Sequence, residues 1–302
     1  MNKTKIKRKA GSRLTSKDAF WGYAFIAVPM LLFILFSVYP VISAVITSFQ
    51  EYKPKGSEFI GLENYVNTFQ TDLFYKAFKN TIVFSVTSVP ISILISFMIA
   101  IMILPFRKKL QSFYKGIFYL PTVASGVALA FVWKWIFDSM SDGLLNQLIG
   151  TVGLAPQNWL GSKKTAMVSL VIMSVASGLG QNIIIYMAGI LSVDPSYFEA
   201  ADMDGARFWD KLRYILWPLV KPTTVFLVIT GIINGFQAFQ NAYLMTGGGP
   251  DNETTMVGLL IFNRAFTYFE YGEACAQAII LTAVIAVFTI IQFKASANDV
   301  EY

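Results

Sequence analysis

The sequence predicts an all-α integral membrane protein with six transmembrane helices and both termini in the cytoplasm. Three observations lead there. Of 302 residues, 55% are hydrophobic and 14% charged, whereas an ordinary soluble domain is roughly one-quarter charged. The apolar residues gather into six runs, each reaching the roughly 20 residues that a helix needs to cross the hydrocarbon core of a bilayer. The lysines and arginines, which leave a net charge of +6, sit in particular connecting segments, and in a membrane protein their position sets orientation.

Residues 1–18 read as a basic cytoplasmic tail and residues 19–302 as one six-span domain. Before Phe20 the tail holds seven lysines and arginines, among them Lys3, Lys5, Lys7, Arg8 and Lys9. A secretory signal peptide starts in the same way, but its apolar core runs for only about 7–15 residues. Here the charge-free run extends from Ala19 to Gln50, so it reads as a retained first span over 20–49. Further spans are expected at about 80–105, 116–137, 165–191, 223–245 and 274–293. Pro29, Pro40, Pro90 and Pro121 fall inside or near the ends of these runs, where a proline kinks a membrane helix without ending it.

Orientation follows from counting. The segment FRKKLQSFYK carries four basic residues and no acid, while residues 246–273 carry Arg264 against Asp251, Glu253, Glu270 and Glu273. The basic segments belong inside the cell, which places the loop of residues 192–222 inside as well. The expected role of the tail is topogenic, with contact to anionic lipid. Trp133, Trp135 and Phe137 cluster at an outer span end, as anchors at a membrane interface do.

Several function classes lose their equipment. With no histidine, the chain lacks the commonest general base and the commonest transition-metal ligand. Cys275 is its single cysteine, so no internal disulfide or multi-cysteine metal site is possible. An integral membrane enzyme would need a polar catalytic cluster, and none stands out. A phosphate-binding loop requires Gly, four residues, then Gly-Lys-Ser/Thr. GSKKT at 161–165 lacks that spacing. The glycines at 247–249 have no following lysine and read as a tight external turn. Energy for transport must then come from another subunit or from an ion gradient. A gradient-driven carrier places acids near the midplane, where each charge costs roughly 2.5–3.5 kcal/mol. These spans hold no central acid, and Lys134 lies near the outer end of the third.

The inner loop contains the stretch EAADMDGARFWDKLRYILWP, residues 199–218, with seven charged side chains in its first fifteen residues. Asp194 followed by Pro195 is a helix start signal, and Ser196 with Glu199 also fits a capping box. Phe198, Ala201, Gly205, Phe208, Leu212 and Ile215 recur at helical spacing, which predicts an amphipathic segment broken at or after Gly205. Ala200, Ala201 and Gly205 would let a partner approach closely. An interfacial helix lying among headgroups shares this amphipathicity. Five acids against four bases between Ser192 and Pro222 tilt the reading toward a protein partner, because a lipid-seeking helix is usually more basic.

Uncharged polar residues mark two spans. The fourth carries Ser174, Ser177, Gly178, Gln181 and Asn182, and the fifth Asn234, Gln237, Gln240 and Asn241. Asn234, Gln237 and Asn241 recur three and four residues apart, which puts them on one helical face. Amides both donate and accept, which suits hydroxyl-rich sugars. The pattern alone leaves two uses open, a solute pathway or hydrogen bonds between neighbouring helices.

The stretch at 199–218 resembles the EAA loop of permease subunits in bacterial binding-protein-dependent ABC importers. That pattern is Glu-Ala-Ala, three residues, Gly, nine residues, then Ile-x-Leu-Pro. Glu199, Ala200, Ala201, Gly205, Ile215 and Pro218 match it, and Trp217 departs where the pattern has leucine. GLENY at 61–65, NT at 80–81, FYLPTVASGVALAFVWKWIF at 118–137, NWL at 158–160 and LMTGGGPDNETT at 244–255 are similar to sugar-importer permeases, within the half related to the maltose and glycerol-phosphate permeases. The basic tail is outside the resemblance.

The resemblance implies a type I ABC importer permease fold in the bacterial cytoplasmic membrane. It implies an ATPase-docking coupling helix at about 195–209, with Glu199, Ala200, Ala201, Asp204 and Gly205 at the contact. It implies a substrate pathway using Gly178, Gln181, Asn182, Asn234, Gln237 and Asn241. Expected partners are a second homologous permease, two ATPase copies that hold ATP and Mg, an external solute-binding protein and a carbohydrate, with no cofactor in this chain and no nucleic acid. The alternative is a stand-alone secondary transporter or channel for a small polar solute.

Overall fold

The computed structural model describes residues 16–53, 56–140 and 142–297. Residues 1–15, most of the basic tail, lie outside them. Helix α1 (Ser16–Phe33) passes through a π-helical turn at Ile34–Val38 into α2 (Tyr39–Ser48). A hairpin of β1 (Gln50–Lys53) and β2 (Gly56–Phe59) precedes α3 (Glu63–Gln70) and α4 (Asp72–Ile103). Next come α5 (Lys108–Val123), α6 (Gly126–Ile136), α7 (Leu144–Gly150) and α8 (Ala166–Leu191). The inner loop forms α9 (Pro195–Met203) and α10 (Phe208–Lys211), and a second π-helical turn at Leu212–Leu216 leads into α11 (Trp217–Phe236). The chain continues with α12 (Gln240–Met245), α13 (Val257–Phe262), a third π-helical turn at Asn263–Thr267 and α14 (Tyr271–Ala297). Among the described residues five helical segments are long and apolar enough to cross a bilayer, and α5 with α6 makes a sixth if the pair is one span.

Two of the expected spans are not continuous helices. Residues 116–137 divide into α5 and α6, which meet at 100°. Pro121 lies in the last turn of α5, where it has no N–H to donate, and Ala124 leaves the helix in extended backbone. The run at 223–245 is interrupted between Phe236 and Gln240, and its helix starts earlier, at Trp217. Likewise α4 starts at Asp72, ahead of the run at 80. A charge-free run marks the part of a helix in hydrocarbon and is blind to where hydrogen bonding begins or breaks.

Around α4 the helices pack through small residues. A Cβ on Gly180 of α8 would lie 2.3 Å from the Phe118 carbonyl oxygen of α5, and one on Gly235 of α11 would lie 2.7 Å from Ser85 Oγ of α4. Only hydrogen fits at these crossings, so the backbones approach as closely as helices can. One apolar cluster fills the inner half: Phe97, Ala100 and Ile103 of α4, Tyr186 and Met187 of α8, and Leu216 and Val220 leading into α11. A second fills the outer half, with Phe84, Phe137, Leu170, Met173, Met245 and Met256. Phe137 is buried there and stacks on Trp133 with centroids 5.4 Å apart. The expected interface anchor at Phe137 is therefore a core residue, packed with Trp133 and Trp159 in the outer cluster. Trp135 remains exposed. By contrast α1 stands clear of the bundle, and none of its described side chains is buried.

The hairpin is the one β element among the described residues, with Gln50 opposite Phe59 and Tyr52 opposite Ser57. It explains GLENY: Asn64 Nδ2 donates to the carbonyls of Ser48 at 2.9 Å and Gln50 at 3.0 Å. The NT pair has a similar task on the glycine loop. Asn80 Nδ2 donates to the carbonyls of Asn252 at 2.9 Å and Thr255 at 3.0 Å, and Thr81 Oγ1 accepts from the Val257 N–H at 3.0 Å. Within that loop Gly247 and Gly248 have φ of 61° and 91°, the left-handed backbone that the expected tight turn requires. Lys76 pairs with Glu253 at 3.0 Å and Lys163 with Asp251 at 2.6 Å. The Lys163 ammonium holds the Asp251 carboxyl below its ordinary range by hydrogen bond and charge, and Asp251 raises Lys163 in return.

Candidate functional site

Between the inner and outer apolar clusters lies a cavity of about 780 Å³. Its walls come from the middle of α4, α8 and α11, with Thr122 from the end of α5. The volume lies within the roughly 300–1,000 Å³ of small-molecule sites. Gly178, Gln181, Asn182, Asn234, Gln237 and Asn241, the six pathway residues expected from sequence, all line it.

They reach it by a different route from the one their spacing suggests. Asn234 is on α11, Gln237 sits in the break after it, and Asn241 is on α12. The three do not share one continuous helical face. The break turns the chain so that Gln237, Gln240 and Asn241 meet the same space from its outer side.

The polar groups fall into two kinds. Asn182 Nδ2 donates to Ser92 Oγ of α4 at 3.1 Å, which ties α8 to α4. Among the described residues, Gln181, Asn234, Gln237, Gln240 and Asn241 make no side-chain hydrogen bond to other protein groups. Asn182 thus bonds a neighbouring helix while also lining the cavity, and the other amides make no such bond. Gly178 leaves room beside them, since a Cβ there would meet only Ser92 Oγ, at 4.0 Å.

Sequence reasoning missed the contribution of α4. Ser88 and Ser92 line the cavity, and the recurrence of Ser85, Ser88, Ser92 and Ser96 at three and four residues was the available signal. Phe84, Phe226 and Phe239 add aromatic surface that composition could not separate from core packing.

The second candidate site is the inner loop. Asp194 caps α9 by accepting the Ser196 N–H at 2.9 Å, and Pro195 occupies the first turn. That backbone hydrogen bond holds the Asp194 carboxyl below its usual value. The cap is thus Asp194, and the expected Ser196–Glu199 capping box is not used. Gly205 ends the turn with φ of 73°, and the Ala206 N–H returns to the Ala201 carbonyl at 2.9 Å, a left-handed helix stop. Asp202 pairs with Lys211 across the break.

Glu199, Ala200, Asp204 and Gly205 are exposed, whereas Ala201 is buried. Ala201 lies one turn from Phe198, which packs on the inner cluster. It seats α9 against the bundle and is not on the outer face with the other four. Met203, 89% exposed, and the exposed Phe208 and Trp209 give this face large apolar groups of the kind a partner covers.

Comparison with known proteins identifies the family of the chain. A family model described as "Binding-protein-dependent transport system inner membrane component" matches residues 92–301. The arabinooligosaccharides transport system permease of Bacillus subtilis (strain 168) is 32% identical over 278 residues, covering 91% of this chain and 88% of the relative. The lactose transport system permease of Rhizobium radiobacter is 30% identical over 282 residues, 91% of this chain and 93% of the relative. Among solved structures, a chain of a bacterial ABC transporter that imports the acidic polysaccharide alginate superposes with a TM-score of 0.81 at 24% identity, over 94% of this chain and 98% of that one. The fold is that of an importer permease, and the stand-alone transporter alternative gives way. The chain belongs to the family of inner-membrane components of binding-protein-dependent transport systems, as a multi-pass permease subunit whose ATPase is a separate component.

Proposed function

We propose that this chain conducts a carbohydrate, an oligosaccharide, as one of two homologous permeases working with two copies of an ATPase and an external solute-binding protein. The observation that carries the carbohydrate reading is the set of amides around the cavity without protein partners. Each presents a donor and an acceptor to the open space, the complement of a sugar hydroxyl. The names of the relatives, which transport arabinooligosaccharides and lactose, point the same way.

ATP and Mg belong to the ATPase. Its closure acts on Glu199, Ala200, Asp204 and Gly205, with Ala201 holding α9 to the bundle. From there the chain runs through α10 and the π-helical turn at Leu212–Leu216 directly into α11, which carries Asn234. Movement of the docking segment reaches the cavity along that path, and ATP selects the outward-open state by binding it better.

The test is uptake of labelled arabino- and galacto-oligosaccharides into proteoliposomes holding both permeases, the ATPase and the binding protein. ATP-dependent accumulation is expected. Accumulation that persists without the ATPase would sink the reading.

A further inference from the structure

We propose that the cavity admits only uncharged saccharides and excludes uronates and phosphosugars; this rests on its reading as a carbohydrate passage. None of the residues that line it is ionisable. Along α8 there is no charged residue at all between Ala166 and Leu191. On α4 the nearest charge is Lys79, five residues outside Phe84, and on α11 it is Lys221, five residues inside Phe226. At 1.5 Å per residue each is about 7.5 Å farther along its helix. The outer and inner apolar clusters begin at those two ends, Phe84 in one and Leu227 in the other.

An anionic sugar entering this space gives up hydration without meeting a cation on this wall, and an unpaired charge loses more by that than a neutral hydroxyl does. Nor do the amides compensate. A hydroxyl can answer both the N–H and the C=O of Gln181, Asn234 or Gln237, whereas a carboxylate only accepts and leaves the amide carbonyls without a donor.

The experiment uses the purified permease–ATPase complex in nanodiscs without the binding protein, so that the membrane cavity itself is read. Calorimetric titration compares a panel of neutral di- to tetrasaccharides of hexoses and pentoses with tri-galacturonate and tri-mannuronate. At least one neutral probe is expected to bind, and both acidic probes at least tenfold more weakly. An acidic probe binding within tenfold of the best neutral one overturns the inference while leaving the carbohydrate reading intact. If no saccharide of either kind binds, the carbohydrate reading itself falls, and the inference with it. In Gln237→Lys, checked for assembly by gel filtration, affinity for tri-galacturonate is expected to rise at least tenfold. An unchanged value would show that the missing cation is not what excludes acids, and would overturn the inference.

Discussion

The indole of Trp217 meets the ring of Phe97 edge-on, with centroids 5.3 Å apart and planes at 71°. Trp217 is the first residue of α11 and Phe97 lies in the inner half of α4. The contact joins the helix leaving the docking segment to the central helix of the bundle. Although 44% of Trp217 is exposed, its edge contact accounts for an aromatic at a position where the EAA pattern has leucine.

Trp217→Leu should therefore fold and assemble but lose the aromatic pair. A double-mutant cycle with Phe97→Leu, read by thermal unfolding of the purified complex, should return a coupling of about 0.5–1.5 kcal/mol. Strict additivity would mean that the two rings are neighbours without interaction.

The amides of the cavity should separate from Asn182 in their effects. Asn234→Ala and Gln237→Ala remove groups without protein partners, so thermal stability should hold while sugar transport falls at least tenfold. Asn182→Ala breaks the link to Ser92 and should cost about 0.6–1.7 kcal/mol of stability. A pathway role is ruled out if both alanine variants transport normally.

On the inner face, Glu199→Lys reverses an exposed charge and should leave expression unchanged while abolishing co-purification of the ATPase. Gly205→Trp should do the same and also strain the turn, since a side chain at φ of 73° costs about 1–2 kcal/mol. Normal ATPase association and normal transport in both would refute docking here.

The outer glycine loop is held by the Asn80 amide, which does not titrate, and by ion pairs, among them Lys163 with Asp251. Asn80→Ala leaves the carbonyls of Asn252 and Thr255 without their donor and should raise hydrogen exchange across 246–256 at every pH. The Asp251 carboxyl is depressed below its ordinary 3.8, so its contribution is present above that value and lost as pH falls through the lowered one. Lys163 is raised above 10.5, so its contribution is complete below that value and lost as pH rises past the raised one. After correction for intrinsic exchange, loop protection in the parent should be flat between about pH 4 and 10. A midpoint inside that window would mean that another group holds the loop.

Much of the membrane architecture was legible because hydrocarbon imposes a simple demand on sequence, about 20 residues without charge per crossing. The break after Gly205 was legible as well, through a residue that tolerates left-handed backbone. The breaks at Ala124–Ser125 and between Phe236 and Gln240 were not. Both lie inside apolar runs, and apolar patterning has the same appearance whether the helix continues or turns.

By itself the sequence determined the all-helical membrane class and the amphipathic character of the inner loop, and it supplied the expectation of six spans and of their orientation, since each is read from charge and hydropathy locally along the chain. Tertiary structure alone decided that Gln181 of α8, Asn234 of α11 and Gln237 in the break share one space, that Asn182 bonds Ser92 of α4, and that Ala201 faces inward. Those facts depend on how helices cross and where one of them breaks. Such crossings are set by close contacts between residues far apart in the chain, as where Gly180 meets Phe118 and Gly235 meets Ser85, and no local pattern encodes that pairing.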